Sequence, residues 1–313
     1  MSPSRILALV LLAVAAAAAT PAFAADPCPV LRAGTDAGEP PDHARRIAIA
    51  ACEEHRLWYR TFIGLDGRIA GSKVREAEAS PLANGQSAWR RVVDYWRGGG
   101  LADMAGACNG GDAACRAFVV DTPWSAAFVS WVMRRAGVPG FRSSPSHVRY
   151  VRHARRAPHE SAWRFLDPAV AAPGQGDMLC YVRVPQRSFG HDGLDARLAA
   201  SDAGLDMHCD IVVGTNPSVG DAPGTAYLIG GNVLDGVTMR LLPLAGDGRF
   251  ASLPRRPPAG DQCSPDLQTA CDANGQDWAV LLQLRPSEDL VAMVHGGGVR
   301  DTGARLATAA APR

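Results

Sequence analysis

The strongest hydrophobic pattern in the chain falls in residues 121–132, and it predicts a buried helix. Large apolar side chains recur there at helical spacing, at Trp124, Phe128, Trp131 and Val132. Asp121 or Thr122 can accept hydrogen bonds from the free backbone N–H groups of a first turn, and Pro123 suits the first helical position. A helix this apolar belongs in the centre of a domain, so we expect the remaining elements to pack around it.

Weaker helical patterns lie on both sides of this helix. They predict helices over residues 43–60, 87–97 and 146–156. The second of these carries a continuous apolar stripe, made of Trp89, Val92, Val93 and Trp96. Residues 25–42 are rich in Pro, Gly and Asp, and we expect them to be irregular.

The hydrophobic period changes from residue 173 onward, where short apolar runs alternate with turn residues. Strands are predicted over residues 176–183, 208–213, 226–233, 237–242 and 278–284. Asp235 and Gly236 supply a hairpin turn between the third and fourth strands. The polar stretch 185–206 is predicted to be irregular and outside the core. Helices first and consecutive strands afterwards predict an α+β fold with an antiparallel sheet.

The first residues predict export. A short basic start precedes an apolar run at residues 6–19, and Ala22-Phe23-Ala24 follows as a cleavage site, so residues 1–24 read as a signal peptide. The run is short for a membrane span, and Asp26-Pro27 before Cys28 argues against a lipid anchor. We therefore expect a secreted, soluble, periplasmic protein without a membrane anchor.

Composition adds little about partners. The formal net charge is +1, which implies neither nucleic acid nor an anionic surface as a partner. The expected organisation of the mature chain is a helical extension at 25–84, a catalytic-type domain at 85–250, a C-terminal linker, disulfide loop and last strand at 251–300, and a disordered tail at 301–313.

The chain has eight cysteines, and an exported protein meets an oxidising compartment. Two pairs are close in sequence, Cys108 with Cys115 and Cys263 with Cys271. Cys28 and Cys52 are candidates to tie down the N-terminal segment, which leaves Cys180 and Cys209 as a fourth pair. The sequence alone leaves this connectivity open.

Ser125 is a candidate nucleophile because it stands in the first turn of the central helix, where unpaired N–H groups favour an oxyanion. A hydroxyl needs a base, and histidine suits that role near neutral pH. His208 begins one predicted strand and Asn232 ends the next, so adjacent antiparallel strands can bring them together. The sequence predicts Ser125 as nucleophile, His208 as base and Asn232 as orienting group. The plainer reading makes Ser125 a capping or packing residue.

Four motifs resemble the CHAP and NlpC-type cell-wall amidases and peptidases. The segment TPWSAAFVSW at 122–131 is similar to their nucleophile helix, and PGQGDMLCY at 173–181 to their Pro-x-x-Gly-Asp strand entry. HCDIVV at 208–213 resembles the strand that begins with the catalytic histidine, and GGN at 230–232 the place of the third polar residue. The whole pattern also resembles an uncharacterised bacterial family placed near these enzymes.

This resemblance spans residues 85–245 and implies a papain-like fold that cleaves amide bonds, with peptidoglycan peptide or glycan as the partner. Ser125 stands where those enzymes carry cysteine, so a serine would act with His208 as general base. We expect Trp124, Asp177 and Tyr181 along the substrate groove. The residues themselves favour a core position for Trp124 and a turn-forming role for Asp177.

Other functions compete with this hypothesis. A catalytically inactive module that binds the cell wall or a protein partner would retain the same fold. No cofactor is implied, although His208, Cys209, Asp210, His191 and Asp192 form an alternative zinc set. Cys180 or Cys209 as a displaced nucleophile is less favoured than a disulfide between them. His147, His153 and His159 lie among arginines and are predicted on a solvated face.

Overall fold

The computed structural model describes residues 26–33, 42–71, 74–77, 80–218, 220, 223–258 and 260–294. The predicted signal peptide at 1–24 and the predicted tail at 301–313 lie outside the described residues. No helix in the described ranges is long and apolar enough to cross a membrane.

The N-terminal half of the described chain is mainly helical. In chain order its elements are α1 (Pro27–Ala33), α2 (His43–Leu57), β1 (Phe62–Ile63), β2 (Ile69–Ala70), α3 (Ala88–Gly98), α4 (Asp112–Asp121), α5 (Ser125–Arg135) and α6 (His147–Arg156). A 3-10 segment, Ala102–Gly110, precedes α4. The predicted helices at 43–60, 87–97 and 146–156 are confirmed as α2, α3 and α6.

The C-terminal half supplies most of the sheet. Its elements are β3 (Trp163–Leu166), β4 (Met178–Val182), α7 (Gly190–Ala200), β5 (Met207–Asn216), β6 (Gly224–Val233), β7 (Gly236–Leu244), β8 (Asp277–Leu284) and α8 (Ser287–Val294). The eight strands run in the order β2-β1-β7-β6-β5-β4-β8-β3. Among the eight strands of the described ranges, only β1 and β7 pair in parallel, so the predicted α+β fold with a mainly antiparallel sheet is confirmed.

Helix α5 is the buried centre of the helical layer. Every residue from Ser125 to Met133 is buried, and the ring of Tyr95 on α3 packs against Trp124, Phe128 and Trp131. A side chain on Gly231 of β6 would place its Cβ 2.4 Å from Phe128 Cγ, so glycine is required there. The start of α5 is thereby held close to the sheet.

A second apolar layer covers the opposite face of the sheet. It includes Leu179 and Tyr181 of β4, Val212 of β5 and Trp278 of β8. Side chains alternate between the two faces of a strand, so His208 and Asp210 share the face of Val212. Cys209 lies on the other face, among the residues that pack with the helices.

The structure corrects several local predictions. Residues 112–121 form α4, so the central helix begins at Ser125 with Trp124 as its N-cap, and Asp121 and Thr122 do not cap it. The stretch 185–206 is not irregular, because it contains α7 with Leu194 and Leu198 fully buried. Residues 27–33 are helical rather than irregular.

The hairpin between β6 and β7 turns one residue earlier than predicted. Val233 pairs with Gly236, and the two residues between them, Leu234 and Asp235, have φ values of 56° and 61°. Positive φ at both central residues is the geometry of a type I′ turn.

The four expected disulfide bonds are confirmed. They join Cys28 to Cys52, Cys108 to Cys115, Cys180 to Cys209, and Cys263 to Cys271. No cysteine is free. Four disulfides are consistent with an extracellular or periplasmic protein.

Candidate active site

Ser125 is the first residue of α5 and lies beside the first residue of α6, His147. The Oγ atom of Ser125 is 2.7 Å from Nε2 of His147. The two residues are only 6% and 3% exposed. The first backbone N–H groups of a helix, here those of α5, lack acceptors within the helix and carry its positive dipole end.

The segment before α6 is attached to α5 by a pair of serines. Ser130 Oγ donates to the carbonyl of Ser144 and accepts from its N–H, at 3.2 Å in each case. Ser144 Oγ in turn donates to the carbonyl of Ser146 at 2.9 Å. These bonds fix the chain immediately before His147 and so help to position its ring beside Ser125.

The surroundings of His147 favour the neutral form of its ring. Its Nδ1 atom is hydrogen-bonded to the hydroxyl of Tyr150, one turn along α6. Burial, followed by the charges of His208 and Arg183, lowers the pKa of His147 well below its ordinary value of 6.5. When the ring proton is on Nδ1 and is donated to Tyr150, Nε2 can accept the hydroxyl proton of Ser125.

A buried charged row lies beside this pair. His208 Nε2 is 2.8 Å from Asp210 Oδ1, and Arg240 Nε donates to Asp210 Oδ2 at 3.0 Å. Arg240 Nη1 also donates to Asn274 Oδ1 at 2.9 Å. Burial alone would raise the pKa of Asp210, but the charges and hydrogen bonds of His208 and Arg240 lower it to about 2.

The two histidines lie next to each other. Their ring centroids are 5.3 Å apart, and the ring centroid of Tyr181 lies 5.1 Å from that of His208. The four side chains therefore form a row. Ser125 contacts His147, the ring of His147 lies beside that of His208, and His208 is hydrogen-bonded to Asp210.

Ser125, His208 and Asn232 are not joined in the described residues by the hydrogen bonds that the sequence predicts. Within the described residues, Ser125 pairs with His147 and His208 pairs with Asp210. Asn232 adopts a left-handed conformation with φ of 57°, at a bulge near the end of β6. No hydrogen bond joins its side chain to His208 in the described part of the chain, and Nε2 of His208 is bonded instead to Asp210 on its own strand.

A pocket of about 440 Å³ opens over the pair. Its walls include Thr122, Pro123, Ser125, Ser146, His147, Arg183, Asp206 and Met207. Both members of the pair line it, so a ligand in the pocket would reach them.

The three expected groove residues do not line this pocket. Trp124 is fully buried and stacks between Trp58 and Tyr95. Asp177 is fully buried and accepts from the N–H groups of Gly174 and Leu284, at 2.7 and 2.8 Å. Tyr181 packs under His208. The structure thus places Trp124 in the core and gives Asp177 a turn-forming role, rather than placing either along a groove.

Sequence reasoning missed the importance of His147. It was predicted on a solvated face, but it is buried, whereas His159 is exposed. The available signal was the spacing of His147, Tyr150, Val151 and Ala154, which follows the i, i+3, i+4, i+7 rule of a buried helical stripe.

A second missed residue is Glu76, which precedes α3. It is buried, and the indole N–H of Trp124 donates to its Oε2 at 2.7 Å. Glu76 therefore anchors Trp124, the N-cap residue of α5.

The alternative zinc set is not brought together. Cys209 is bonded to Cys180, His208 pairs with Asp210, and His191 contacts the carbonyl of Ala279 at 3.0 Å. Over the described ranges, no group of three or more His, Cys, Asp and Glu side chains is placed to hold a metal ion.

Comparison with known proteins gives a family. A family model described as "Uncharacterized protein conserved in bacteria (DUF2272)" matches residues 83–284. The match spans more than half of the chain, so the chain belongs to this family. No significant match was found among curated proteins or among solved structures.

Proposed function

We propose that this DUF2272 protein is an exported hydrolase that uses Ser125 as a nucleophile and His147 as its general base. The observation that carries the proposal is the 2.7 Å contact between Ser125 Oγ and His147 Nε2 at the wall of a pocket. A serine hydroxyl within hydrogen-bond reach of a neutral imidazole is the arrangement that nucleophilic acyl transfer requires.

The reaction proceeds in two acyl transfers. Ser125 Oγ attacks the carbonyl carbon of the substrate while its proton passes to His147 Nε2. The C–N bond then breaks, and the amine leaves with that proton. Water, deprotonated by His147, releases the acyl group and restores Ser125. N–H groups in the first turn of α5, including that of Ser125, are in place to stabilise the oxyanion.

His208 and Asp210 act on His147 in this mechanism. A proton arriving at His147 creates a charge in a buried site, which the charge of His208 opposes and the negative field of Asp210 favours. Tyr150 accepts from Nδ1 and keeps Nε2 directed at Ser125. His208 and Asn232, first expected as base and orienting group, thus give way to His147 and Tyr150 in the proposal.

The substrate class comes from the resemblance to CHAP and NlpC-type enzymes. Those enzymes are papain-like and cleave amide bonds of cell-wall peptides, and export to the periplasm would bring this protein to that polymer. We therefore propose an amide of peptidoglycan peptide as the substrate. The proposed fold relation is papain-like, with α5 in the position of the nucleophile helix.

A serine-directed fluorophosphonate tests the nucleophile. We expect it to label the mature protein at Ser125, as located by peptide mapping. Ser125→Ala should abolish labelling, and His147→Ala should slow it by about 10²-fold or more. His159→Ala, which removes an exposed histidine, is the matched control and should label at the wild-type rate. Full labelling of a folded His147→Ala variant would contradict the assignment of the base.

A binding module is the second candidate, and the near-complete burial of Ser125 and His147 favours it. A thiolate can be pre-formed at a helix start, whereas a serine depends on its base during the reaction. If a folded wild-type protein is not labelled, and Ser125→Cys is also inert toward a thiol probe, the hydrolase proposal fails and the binding module is favoured. Co-sedimentation with purified peptidoglycan, without release of soluble fragments, would then support this function.

A further inference from the structure

The pocket beside Ser125 contains an arginine for which the mechanism has no use. Arg183 directly follows β4, and its backbone N–H donates to the carbonyl of Asp206 at 2.7 Å. This bond fixes the main chain at the pocket wall. The Arg183 side chain itself is exposed and lines the pocket together with Ser125 and His147.

The charge of Arg183 has no carboxylate partner among the residues that the structure describes. Across the described ranges, no carboxylate lies within 4.0 Å of its guanidinium group. Other arginines of the fold differ in this respect, because Arg91, Arg155 and Arg240 each meet a carboxylate. Asp206 lines the same pocket but forms no ion pair with Arg183.

The field of Arg183 reaches the reacting groups. After burial and the His208 charge, Arg183 contributes to lowering the pKa of His147. A guanidinium offers several donors in a planar fork that matches a carboxylate. The positive end of α5 adds potential of the same sign at the same wall.

We propose that Arg183 binds a carboxylate of the substrate, so that the enzyme selects acyl compounds that carry a negative charge close to the bond being cleaved. This inference rests on the proposed hydrolysis at Ser125 and deepens it. Arg183 is a specificity-determining residue here, and Asp206 limits the selectivity by repelling the same anion.

Two p-nitrophenyl esters test the proposal, one with a free carboxylate (the hydrogen succinate) and one neutral (the butyrate). We expect the ratio of their kcat/KM values, anionic over neutral, to fall at least tenfold in Arg183→Gln and to invert in Arg183→Glu. The ratio is the quantity compared, because loss of the Arg183 charge also acts on His147 and so affects both esters alike. Arg187→Gln, at an exposed arginine that packs on Phe189 outside this pocket, is the matched control. Asp206→Asn should raise the ratio.

A binding measurement distinguishes the proposed role of Arg183 from the proposed hydrolysis. In Ser125→Ala, N-acetyl-alanyl-alanine should bind at least tenfold more tightly than its neutral C-terminal amide by calorimetry, and Arg183→Gln should remove the difference. Charge-selective binding without ester hydrolysis would sustain the role of Arg183 and refute the hydrolase. Hydrolysis with an unchanged ratio in Arg183→Gln would refute the role of Arg183 alone. If neither probe discriminates or reacts, both proposals fall.

Discussion

A buried histidine beside Ser125 determines how the site should respond to pH. Burial, and then the neighbouring His208, lowers the pKa of His147 well below 6.5. The neutral ring therefore persists into the acid range. We expect the rate of fluorophosphonate labelling at Ser125 to rise with pH and to reach its plateau well below pH 6.5. A labelling profile with its midpoint at or above pH 6.5 would contradict His147 as the base.

Glu76 shows how one buried carboxylate supports the start of α5. Burial raises its pKa, and the hydrogen bond from Trp124 only partly offsets this effect. A raised pKa in the folded state means that the folded protein binds more protons than the unfolded chain. Glu76 therefore costs stability as pH rises above its unfolded pKa, and this loss continues until its folded pKa is passed.

Two substitutions at Glu76 should have opposite effects on the free energy of unfolding. Glu76→Gln keeps an acceptor for the indole N–H of Trp124 and removes the buried charge, so stability at neutral pH should be equal or higher. Glu76→Ala leaves that N–H unpaired and should cost about 1–3 kcal/mol. Urea unfolding of both variants measures this. Equal losses in the two variants would show that hydrogen bonding to Trp124 is not what Glu76 supplies.

At the scale of elements, the close approach of β6 to its neighbours depends on glycine. A Cβ atom on Gly230 would lie 1.9 Å from Asp210 Oδ1 and 2.9 Å from His208 Nε2. Real Cβ contacts are not that short, so the His208–Asp210 pair would have to separate. The conformation of β6 and the buried charged row are thus mutually dependent.

Gly230→Ala should therefore damage the site and the fold together. We expect a loss of about 1–3 kcal/mol in the free energy of unfolding, the usual cost of overpacking, and slower labelling of Ser125. Gly246→Ala is the control, since a Cβ there meets no atom within 4 Å. The residual labelling rate of folded Gly230→Ala should respond to pH differently from wild type, because the Asp210 field on His147 changes. A wild-type labelling rate and a wild-type pH profile would show that the His208–Asp210 pair does not affect the reactivity of Ser125.

Elements were predictable where a periodic apolar pattern was long. The stripe Trp89, Val92, Val93 and Trp96 identifies α3, and the runs after residue 173 identify β4 to β8. The missed elements have weaker local signals. Helix α7 buries only Leu194 and Leu198 among polar residues, and β1 and β2 have two residues each, so tertiary pairing creates them. Sequence spacing cannot report that kind of pairing.

At the scale of the whole molecule, the candidate site was predictable in part. Ser125 at a helix start could be inferred from the helical pattern alone. The identity of its histidine could not, because α6 reaches α5 through the Ser130–Ser144 contact, which no periodicity encodes. His208 is adjacent to the pair, but its Nε2 atom is bonded to Asp210, two residues along the same strand. Which of several polar groups meet across a sheet is decided by packing.

One of the four disulfide bonds, Cys180–Cys209, lies next to the candidate site. Cys180 and Cys209 are opposite each other on β4 and β5, and the next pair along these strands is Tyr181 with His208. Both cysteines are fully buried, whereas Cys263 and Cys271 are exposed. The buried bond spans 29 residues and the exposed one spans 8. In the chain-entropy model these loops correspond to about 3–4 and about 2–3 kcal/mol respectively.

Removing the central bond should therefore cost more than removing the peripheral one. We expect the double variant Cys180→Ala, Cys209→Ala to lose more thermal stability than Cys263→Ala, Cys271→Ala, because it also leaves a cavity between two central strands. Displacement of β5 should move His208, so labelling at Ser125 should slow only in the first variant. Melting temperatures and labelling rates of the two variants measure this. Equal losses of stability and equal labelling rates in both variants would contradict a special role of the Cys180–Cys209 bond in holding the site.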